Sequence, residues 1–288
     1  MTIFVLIPVF NRLHHTQRVV EALRAQVCLQ TLSVIVIDDG SSDGTADWLK
    51  DQQDIIRLAG NGQLWWGGSI ELGLQFVLNK ATDEDYVLFV NNDTWFESNY
   101  IAKLCEISRE NADAIVGSVV HEEKCCPPLV SIGPRININR LAVWDIFNEL
   151  DQLERIQPRK TYSADALSGR GTLYPVPWFK QFGTMRPALL PHYLSDYEIS
   201  MRFARHGARL LVSAEAITFS PPVYGVNAKL SWWERLFSER SPSNIIRRTL
   251  FYSMVGSPLQ RLTGPLRVTL FSLKRLCSSF PAPWGKGL

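Results

Sequence analysis

Residues 3–12 read IFVLIPVFNR, and residues 33–45 read SVIVIDDGSSDGT. Each stretch opens with a continuous apolar run and ends in polar residues. Runs of this kind are typical of strands that are buried on both faces of a parallel sheet. A third stretch of the same form, YVLFVNND, occupies residues 86–93. The three stretches predict strands whose carboxyl ends carry Asn, Arg and Asp side chains, and open sheets of this type bind ligands beyond those ends.

The segments between these strands predict helices, because apolar residues recur at helical spacing, as from Thr16 to Val27. The other predicted helices are Thr45–Lys50, Ser69–Lys80, Ser98–Arg109 and Asp196–His206, and the other predicted strands are Ile55–Leu58, Ala114–Val120, Gly171–Val176, Arg209–Ser213 and Ala216–Phe219. Residues 121–160 carry no pattern that assigns them. The alternation predicts an α/β fold with an open, mostly parallel sheet and helices on both faces.

The composition excludes a disordered or fibrous chain, since the 288 residues are 46% hydrophobic and 20% charged. The formal net charge of +2 is unevenly distributed. Residues 225–288 hold ten Lys and Arg against two acids, which leaves 20 basic and 26 acidic residues upstream. A basic tail on an acidic body predicts that the tail lies against a polyanionic surface, either a membrane or a nucleic acid.

The five cysteines are odd in number and lack the spacing of a disulfide framework. The chain opens directly on an apolar run, without the basic region or cleavage site of a signal peptide. Both features predict a reducing, cytoplasmic location. The longest uncharged stretch of the tail, Thr249–Gln260, has twelve residues, whereas a membrane-spanning helix needs roughly 20. The sequence therefore predicts no transmembrane helix.

Three polar or aromatic clusters each admit a chemical and a structural interpretation. Asp39 could accept hydrogen bonds from a nucleobase or ribose, or its loop could simply be a turn and helix cap. Asp93 could hold a divalent cation against a diphosphate, or Asn91-Asn92-Asp93 could be a solvated turn. Trp65-Trp66, flanked by glycines, could form a wall against a sugar or pack in the core. The sequence has no glycine-rich phosphate loop of a standard kind.

In order and spacing, these clusters resemble the family-2 glycosyltransferases with the GT-A fold. The resemblance spans about residues 3–220 and rests on Ile7–Arg12, Ile37–Thr45 and Asn91–Asp93. The chain is most similar to the bacterial rhamnosyltransferase-like branch, in which Asn-Asn-Asp replaces Asp-x-Asp and a loop like Gly60–Gly73 precedes it. Further segments that are similar to that branch are Leu167–Leu173, on the acceptor side, and Ser195–Arg202, at a helix start.

The resemblance implies a site for each substrate. The implied nucleotide-sugar site consists of Pro8, Val9, Asn11, Arg12, Asp39, Trp66, Gly67, Asn92 and Asp93. Within it, Asp39 would recognise the base and Asp93 would bind Mg²⁺ or Mn²⁺. Asp196 would deprotonate the acceptor hydroxyl in an inverting transfer, and the implied acceptor-side residues are Gly169, Arg170 and Glu198. From the residues alone, Asp196 could instead cap a helix, and Glu198 could pair with Arg202 four residues later.

The chain departs from the family pattern at two positions. Ser195 stands where the family usually has Glu, and the segment Phe219–Pro222 lacks the His that relatives often place there as a metal ligand. The second departure concerns the metal site alone.

The tail predicts an amphipathic helix with Pro265 at its start. The residues of its apolar face are Leu266, Leu270, Leu273 and Cys277, those of its basic face are Arg267, Lys274 and Arg275, and additional aromatic residues are Trp232, Trp233 and Trp284. This pattern resembles a helix that lies in an anionic membrane surface. The alternative is a basic helix packed against the catalytic domain. Nucleic acid is disfavoured, because the aromatic residues cluster with Leu and Phe rather than between basic residues.

The sequence therefore predicts a GT-A catalytic domain at residues 1–224 and a membrane-associating tail at residues 225–288. The nucleotide-sugar half would cover about residues 1–120 and the acceptor half about residues 121–224. The predicted reaction transfers a dTDP- or UDP-linked sugar, with rhamnose as one candidate, to a surface polysaccharide such as O-antigen or to a lipid-linked glycan. It would take place at the inner face of the plasma membrane.

Two other functions remain open at this point. A sugar-1-phosphate nucleotidyltransferase would share the α/β sheet but would carry a Gly-rich loop with Arg or Lys after the first strand. A non-catalytic nucleotide-sugar-binding or scaffold protein would keep the pocket without the chemistry.

Overall fold

The computed structural model describes residues 1–112, 114–122, 130–221 and 230–277. Its strands are β1 (Thr2–Val9), β2 (Thr31–Asp38), β3 (Ile55–Ala59), β4 (Tyr86–Phe89), β5 (Trp95–Phe96), β6 (Ile115–Glu122), β7 (Val130–Ser131), β8 (Pro134–Asn137), β9 (Ala142–Asp145), β10 (Thr161–Ser163), β11 (Thr172–Pro175) and β12 (Leu210–Ser220). Its α-helices are α1 (Leu13–Arg24), α2 (Thr45–Lys50), α3 (Trp65–Leu78), α4 (Tyr100–Glu110), α5 (Gln152–Ile156), α6 (Val176–Phe182), α7 (Ser195–Arg205), α8 (Trp232–Phe237), α9 (Ile245–Val255) and α10 (Pro258–Cys277), and a 3₁₀ helix spans Ile146–Glu149.

Ten of the strands in the described residues form one sheet, in the order β10-β12-β6-β11-β4-β1-β2-β3, with β5 attached to β12 and β7 to β6. Strands β3, β2, β1 and β4 are parallel to one another, and β6 is parallel to β12. Strand β11 runs antiparallel between β4 and β6. Strands β8 and β9 form a separate hairpin. The sheet with helices on both faces confirms the predicted fold class.

Side chains of β1 alternate between two apolar clusters, one on each face of the sheet. Leu6 packs in one cluster with Leu74 of α3, and Ile7 packs in the other with Val20 of α1. All four side chains are at most 1% exposed. Full burial of a side chain of this size contributes roughly 1.5–3 kcal/mol. These two layers hold the carboxyl end of β1 rigidly in place.

The antiparallel strand β11 brings a distant segment to the same edge of the sheet. Thr172, at its start, pairs with Phe89 at the end of β4, and the Gly171 amide donates to the Phe89 carbonyl at 3.0 Å. Because the two strands run in opposite directions, the loop before β11 lies beside the loop after β4. The topology therefore places Gly169 and Arg170 near Asn91–Asp93, although nearly 80 residues separate them in the chain.

The boundaries of several elements differ from those predicted. Helix α1 ends at Arg24, so Val27, which was expected on its buried face, is 73% exposed. The two strands predicted at 209–219 are one strand, β12, with an irregularity between Ser213 and Ile217. The Ser213 hydroxyl accepts from the Ala216 amide at 3.0 Å, which supports the backbone at that irregularity.

Residues 130–160, which carry no sequence pattern, fold into β7, the β8–β9 hairpin, the 3₁₀ helix and α5. Asp145 organises the first part of this segment. Its carboxylate accepts from the backbone amides of Ile132 and Phe147, at 3.0 and 2.8 Å, and from the Ser131 hydroxyl at 2.6 Å. Each bond joins residues that are close in sequence but follow no regular period.

Helix α10 begins at Pro258 and not, as predicted, near Pro265, which lies inside it. Ser257 and Gln260 exchange hydrogen bonds across its first turn, with the Ser257 amide donating to Gln260 Oε1 at 2.8 Å. Pro258 is tolerated at the first helical position because the amide there needs no partner within the helix. The start signal thus lies seven residues before the one that the sequence interpretation used.

The C-terminal helices pack onto α7. Phe251 of α9 and Val268 of α10 are fully buried and share an apolar cluster with Tyr197 of α7. The opposite face of α10 is uncovered, with Leu266 and Leu270 65% and 57% exposed. The side chains of Leu273, Lys274, Arg275 and Cys277, and the residues Pro222 and Trp284, lie outside the described part of the structure.

Arg267 was expected on a solvent-facing basic side of the tail helix. Its guanidinium instead donates to the backbone carbonyls of Ile138 and Asn139, at the turn of the β8–β9 hairpin. Helix α10 therefore combines features of both interpretations, since it is docked on the body and keeps an exposed apolar face. Among the helices of the described residues, none is both long enough and apolar enough to cross a bilayer.

Candidate active site

The loops that follow β1 and β2 are held together by side-chain hydrogen bonds at the carboxyl edge of the sheet. The backbone amide of Asn11 donates to Ser41 Oγ at 2.7 Å, and the backbone amide of Ser42 donates to the side-chain Oδ1 of Asn11 at 2.9 Å. Asn11 and Arg12 both adopt left-handed backbone conformations, with φ of 60° and 63°. Such conformations cost roughly 1–3 kcal/mol each and persist only where neighbouring contacts enforce them. This backbone conformation sets the direction in which the two side chains leave the sheet.

Pro8 and Val9 lie at the end of β1, opposite Ile37 and Asp38 of β2. The Asp39 amide donates to the Val9 carbonyl at 2.8 Å, which extends the pairing by one residue. Pro8 and Val9 therefore lie at the carboxyl edge of the sheet, and their implied role in lining a nucleotide pocket stays a prediction.

Asp39 is almost fully buried and organises the loop before α3. Its carboxylate accepts from the Gly62 amide at 2.8 Å and from the Trp65 amide at 3.0 Å. Gly60 passes so close that a Cβ atom there would lie 2.6 Å from Asp39 Oδ1. A carboxylate offers about four acceptor sites, so Asp39 can hold this loop and still accept from a ligand. Its neighbour Asp38 is committed elsewhere, to an ion pair with Arg57 at 2.9 Å.

Asn91, Asn92 and Asp93, in the loop after β4, make different contacts. Asn91 Oδ1 accepts from the Trp66 indole at 2.8 Å, and the buried side-chain amide of Asn92 donates to Thr16 Oγ1 at 3.3 Å. Asp93 accepts from Arg12 Nη1 at 2.9 Å. The two Asn side chains are therefore used within the fold, and Asp93 is the residue of the three that can offer a carboxylate to a ligand.

A divalent cation fits this site only as part of a donor complex. No group of three His, Cys, Asp or Glu side chains that could hold a metal occurs among the described residues. Mg²⁺ sites of nucleotide-binding proteins commonly use one or two carboxylates and take their other oxygens from substrate phosphates and water. Asp93 would be the one carboxylate of such a site, and a bound diphosphate and water would have to supply the other oxygens.

Trp66 connects this edge to the segment before β11. Beyond its bond to Asn91, the indole lies so close to Gly169 that a Cβ atom there would be 2.1 Å from Trp66 Cζ2. The Gly169 amide in turn donates to Asp196 Oδ2 at 2.9 Å. Gly67, the next residue of α3, donates to the Pro191 carbonyl at 2.7 Å. Helix α3 thus links the loop after β4 to the start of α7.

Asp196 lies in the first turn of α7, one residue after its start. Its carboxylate accepts from the Gly169 and Tyr197 amides, each at 2.9 Å, and Leu194 with φ of 70° occupies the cap position. Asp196 is therefore not the N-cap that the sequence left as an alternative. Burial raises the pKa of the Asp196 carboxyl above its ordinary value, while these hydrogen bonds and the Arg170 charge oppose the shift. A raised pKa suits a group that must accept a proton.

Glu198 is placed differently from Asp196. It is 3% exposed, and its carboxylate pairs with Arg202 at 3.1 Å and with Arg186 at 3.4 Å. Arg202 also donates to the Phe182 and Thr184 carbonyls. The structure therefore brings Glu198 into a buried network that ties α7 to α6, which is the structural alternative that the sequence left open.

Trp65, for which the sequence left a sugar wall and core packing open, forms an aromatic cluster with His192 and Tyr193, which the sequence analysis did not assign. Trp65 has φ of 58°, and its ring packs against His192 at 5.6 Å between centroids. His192 also contacts Tyr193, at 4.3 Å. Burial lowers the pKa of His192 to about 4, so its ring is neutral near pH 7. No spacing in the sequence reports these contacts, because residues 65 and 192 meet only through the fold.

A recess lies between the β8–β9 hairpin and Tyr197, the residue that follows Asp196 in α7. Its lining includes Ser168, Arg170 and Tyr197 on one side, and Trp144, Asp145 and Asn148 on the side of the hairpin. Trp144 is 38% exposed, and its indole donates to Glu149 Oε1 at 2.6 Å. An exposed aromatic face among polar side chains is suited to a sugar ring.

Comparison with known proteins agrees with this geometry. Residues 4–180 match the model of a family described as glycosyl transferase family 2. The match covers more than half of the chain, so the chain belongs to this family, as the sequence motifs predicted. No curated protein sequence matches the chain closely enough to count as a relative.

Several solved glycosyltransferase structures share the fold. GalNAc-T7 with UDP, GalNAc and Mn²⁺ aligns with a TM-score of 0.60 and 11% identity, over 96% of this chain and 56% of that one. The mannosyltransferase PcManGT from Pyrobaculum calidifontis, with GDP-Man and Mn²⁺, gives 0.59 and 14%, over 98% and 76%. TarS of S. aureus gives 0.55 and 15%, over 88% and 43%. The chain thus spans only about half the length of the first and third of these proteins.

Proposed function

We propose that this chain transfers a sugar from a nucleoside-diphosphate sugar to a hydroxyl group of a glycan acceptor, with inversion at the anomeric carbon. The observation that carries this proposal is the series of contacts from Asn91 through Trp66 and Gly169 to Asp196. It connects the edge of the sheet where a donor would bind to a carboxylate suited to act as a base. The family membership supports the same reaction.

In the proposed reaction, the acceptor oxygen bonds to the anomeric carbon as the bond between that carbon and the diphosphate oxygen breaks. Asp196 takes the hydroxyl proton, and the diphosphate leaves with the electron pair of the broken bond. A divalent cation, when bound, supplies positive charge that stabilises the leaving diphosphate. Asp93 would be its protein ligand. Asp39 and Asn11 would hold the nucleoside at the ends of β1 and β2.

The acceptor would occupy the recess that Tyr197, the chain neighbour of Asp196, lines. Arg170 and Tyr197 line one side of it, and Trp144 offers an exposed ring at its other side. This arrangement supports a saccharide acceptor, because sugars present hydroxyls to polar groups and a C–H face to aromatic rings. Gly169 and Arg170 keep the acceptor-side role that the resemblance implied, whereas the ion pairs of Glu198 favour a positioning role within α7.

The finer assignments are part of the same proposal. The donor would be a dTDP- or UDP-linked sugar such as rhamnose, and the acceptor a surface polysaccharide such as O-antigen or a lipid-linked glycan. The catalytic domain would comprise residues 1–224 and the membrane-associating tail residues 225–288, at the inner face of the plasma membrane. The exposed leucines of α10 and the exposed Trp232 and Trp233 support the membrane contact.

Two variants of α7 test the function. Asp196→Asn removes the base but keeps the size of the side chain, at a stability cost of about 1 kcal/mol from the altered hydrogen bonds. We expect it to retain the thermal shift given by UDP-, dTDP- or GDP-sugars with Mg²⁺ or Mn²⁺. Turnover, measured as release of nucleoside diphosphate, should fall by roughly 10²–10⁴-fold. Wild-type turnover should rise with pH through the raised pKa of Asp196, because only the ionised carboxylate accepts a proton.

Glu198→Gln is the matched control on the same helix. It breaks a buried ion pair, which typically costs roughly 3–5 kcal/mol, and should lower the melting temperature without the same loss of turnover. Near-normal turnover of Asp196→Asn would contradict the assignment of the base. A wild-type protein that gains stability from nucleotide sugars but releases no nucleoside diphosphate would favour a non-catalytic binding protein.

A further inference from the structure

Arg12 and Asp93 face each other across the carboxyl edge of the sheet. Arg12 Nη1 lies 2.9 Å from Asp93 Oδ2, and the two side chains are 46% and 12% exposed. The pair joins the two positions at which the proposed donor complex would place its diphosphate and its divalent cation. The guanidinium thus sits where a cation would otherwise meet the carboxylate.

The position of Arg12 is set by its backbone and not by this ion pair. Its left-handed conformation is enforced on both sides. The Asn11 amide bonds to Ser41 Oγ, and the Leu13 amide bonds to Asp43 Oδ2 at 2.7 Å. Because the backbone amides of the two neighbouring residues make these contacts, the Arg12 side chain can change partners without rearranging the loop. A long, half-exposed guanidinium is well suited to such an exchange.

The two possible partners of Arg12 differ in strength. An exposed ion pair with a single carboxylate contributes little to stability. A diphosphate carries more charge and offers oxygens that a guanidinium can bind through two parallel hydrogen bonds. Asp93 also loses little in the exchange, since a divalent cation bridging to the diphosphate would replace one positive neighbour by another.

We propose that Arg12 has two partners in turn: it neutralises Asp93 in the donor-free protein and moves to the diphosphate when a nucleotide sugar binds, which opens the Asp93 carboxylate to the divalent cation. This inference rests on the proposed function. It makes metal binding conditional on the donor, so that the protein without nucleotide holds the cation weakly. It also gives Arg12 opposite effects on the two ligands, since it competes with the cation and attracts the diphosphate.

Calorimetry on the full chain tests this with Mn²⁺ alone and with UDP, dTDP and GDP in the presence of EDTA. Arg12→Gln should bind Mn²⁺ alone at least threefold more tightly than the wild type, and should bind the accepted nucleoside diphosphate in EDTA at least tenfold more weakly. Arg12→Lys keeps the charge. Its affinities for Mn²⁺ and for the nucleoside diphosphate should lie between those of the wild type and those of Arg12→Gln. Arg24→Gln is the matched control, because Arg24 lies at the end of α1, the helix that begins directly after Arg12, and pairs with the exposed Asp54 at 2.6 Å. It should change neither affinity.

The outcomes separate the inference from the function on which it rests. If the wild type binds a nucleoside diphosphate and Arg12→Gln leaves either affinity unchanged, or moves both in the same direction, the exchange of partners is wrong. If the wild type binds none of the three nucleotides with or without Mn²⁺, the proposed function itself fails. Melting temperatures of all three variants within a few degrees of the wild type exclude a general loss of fold as the cause.

Discussion

At the scale of single residues, the site depends on close approaches that only particular side chains permit. Gly169 is buried against the Trp66 indole, and its amide holds one oxygen of Asp196. Its backbone does not lie in the left-handed region, so the requirement for glycine comes from space alone. Asp39 and Asn91 also hold neighbouring segments, since Asp39 accepts from the Gly62 and Trp65 backbone amides and Asn91 accepts from the Trp66 indole.

A pair of substitutions tests this contact. Gly169→Ala would place a methyl carbon 2.1 Å from Trp66 Cζ2, so the indole or the loop must move. We expect a loss of roughly 1–3 kcal/mol in the free energy of unfolding and a fall in turnover, because Asp196 loses its support. Trp66→Phe removes the ring that clashes. The double variant should therefore recover part of the stability lost by Gly169→Ala, as measured by urea unfolding.

The double variant also distinguishes the contact from a general intolerance of loop 167–171. Trp66→Phe alone loses the indole bond to Asn91 and should cost about 1 kcal/mol. If the two substitutions are simply additive, the packing of Trp66 on Gly169 does not control the position of Asp196.

At the scale of elements, α10 has one buried face and one exposed apolar face. Val268 is fully buried against α9, whereas Leu259, Leu262, Leu266 and Leu270 are all more than half exposed. Those four leucines recur at intervals of three and four residues and so form one ridge. Trp232 and Trp233 of α8 are also more than half exposed. An apolar ridge of this extent on a basic tail is typical of a helix that lies in a membrane surface.

Substitution in this leucine ridge tests the membrane contact. Leu262→Glu combined with Leu266→Glu places two charges on the ridge without touching the face that packs on α9. We expect flotation with anionic vesicles of phosphatidylcholine and phosphatidylglycerol to fall at least tenfold, since burial of each leucine contributes roughly 1.5–3 kcal/mol. The melting temperature and nucleotide-induced stabilisation should not change.

Leu29→Glu provides a control, because Leu29 is 98% exposed but far from α10 in the sequence and outside its ridge. Its flotation should match that of the wild type. Equal flotation of the ridge variant and the control would show that the ridge does not bind vesicles. A wild-type protein that does not float would contradict the membrane proposal as a whole.

At the scale of the whole molecule, the C-terminal helices are part of the structure around Asp196. Phe251 and Tyr252 of α9 are buried in one apolar cluster with Leu190, which precedes α7, and Tyr197, which lies in its first turn. Arg247 of α9 also donates to the Leu189 carbonyl at 2.9 Å. Removal of the tail therefore does more than release a membrane contact, because it uncovers apolar surface next to the proposed base.

Two truncations test this organisation. A chain that ends at residue 224 loses Phe251 and Tyr252, and burial losses of this kind cost roughly 3–5 kcal/mol for each large aromatic side chain. We expect it to melt well below the full chain or to aggregate. A chain that ends at residue 257 keeps α9 and loses α10, and should retain more stability and its nucleotide-induced thermal shift. If both truncated chains melt at the same temperature as the full chain, the helices after residue 224 do not stabilise the catalytic domain, and residue 224 is a domain boundary.

The sequence by itself determined the main strands of the sheet and the polar residues at their carboxyl ends. Buried strands need continuous apolar runs, and the polar residues at their ends stand out against them, so β1, β2 and β4 with Asn11, Asp39 and Asp93 could be located from local pattern. The same pattern failed where structure depends on single hydrogen bonds, as at Ser257 and Gln260 before α10, or on Asp145 within residues 130–160.

Only the tertiary structure decided which of these residues work together. The antiparallel direction of β11 brings Gly169 beside Trp66, and the contacts of α3 with the start of α7 place His192 beside Trp65. The tertiary structure also gives different surroundings to Asp196 and Glu198, two acids in one helical turn. Only Glu198 pairs with Arg202 and Arg186. Periodicity reports the face on which a residue lies, whereas a contact between distant segments depends on strand order and direction, which no local pattern contains.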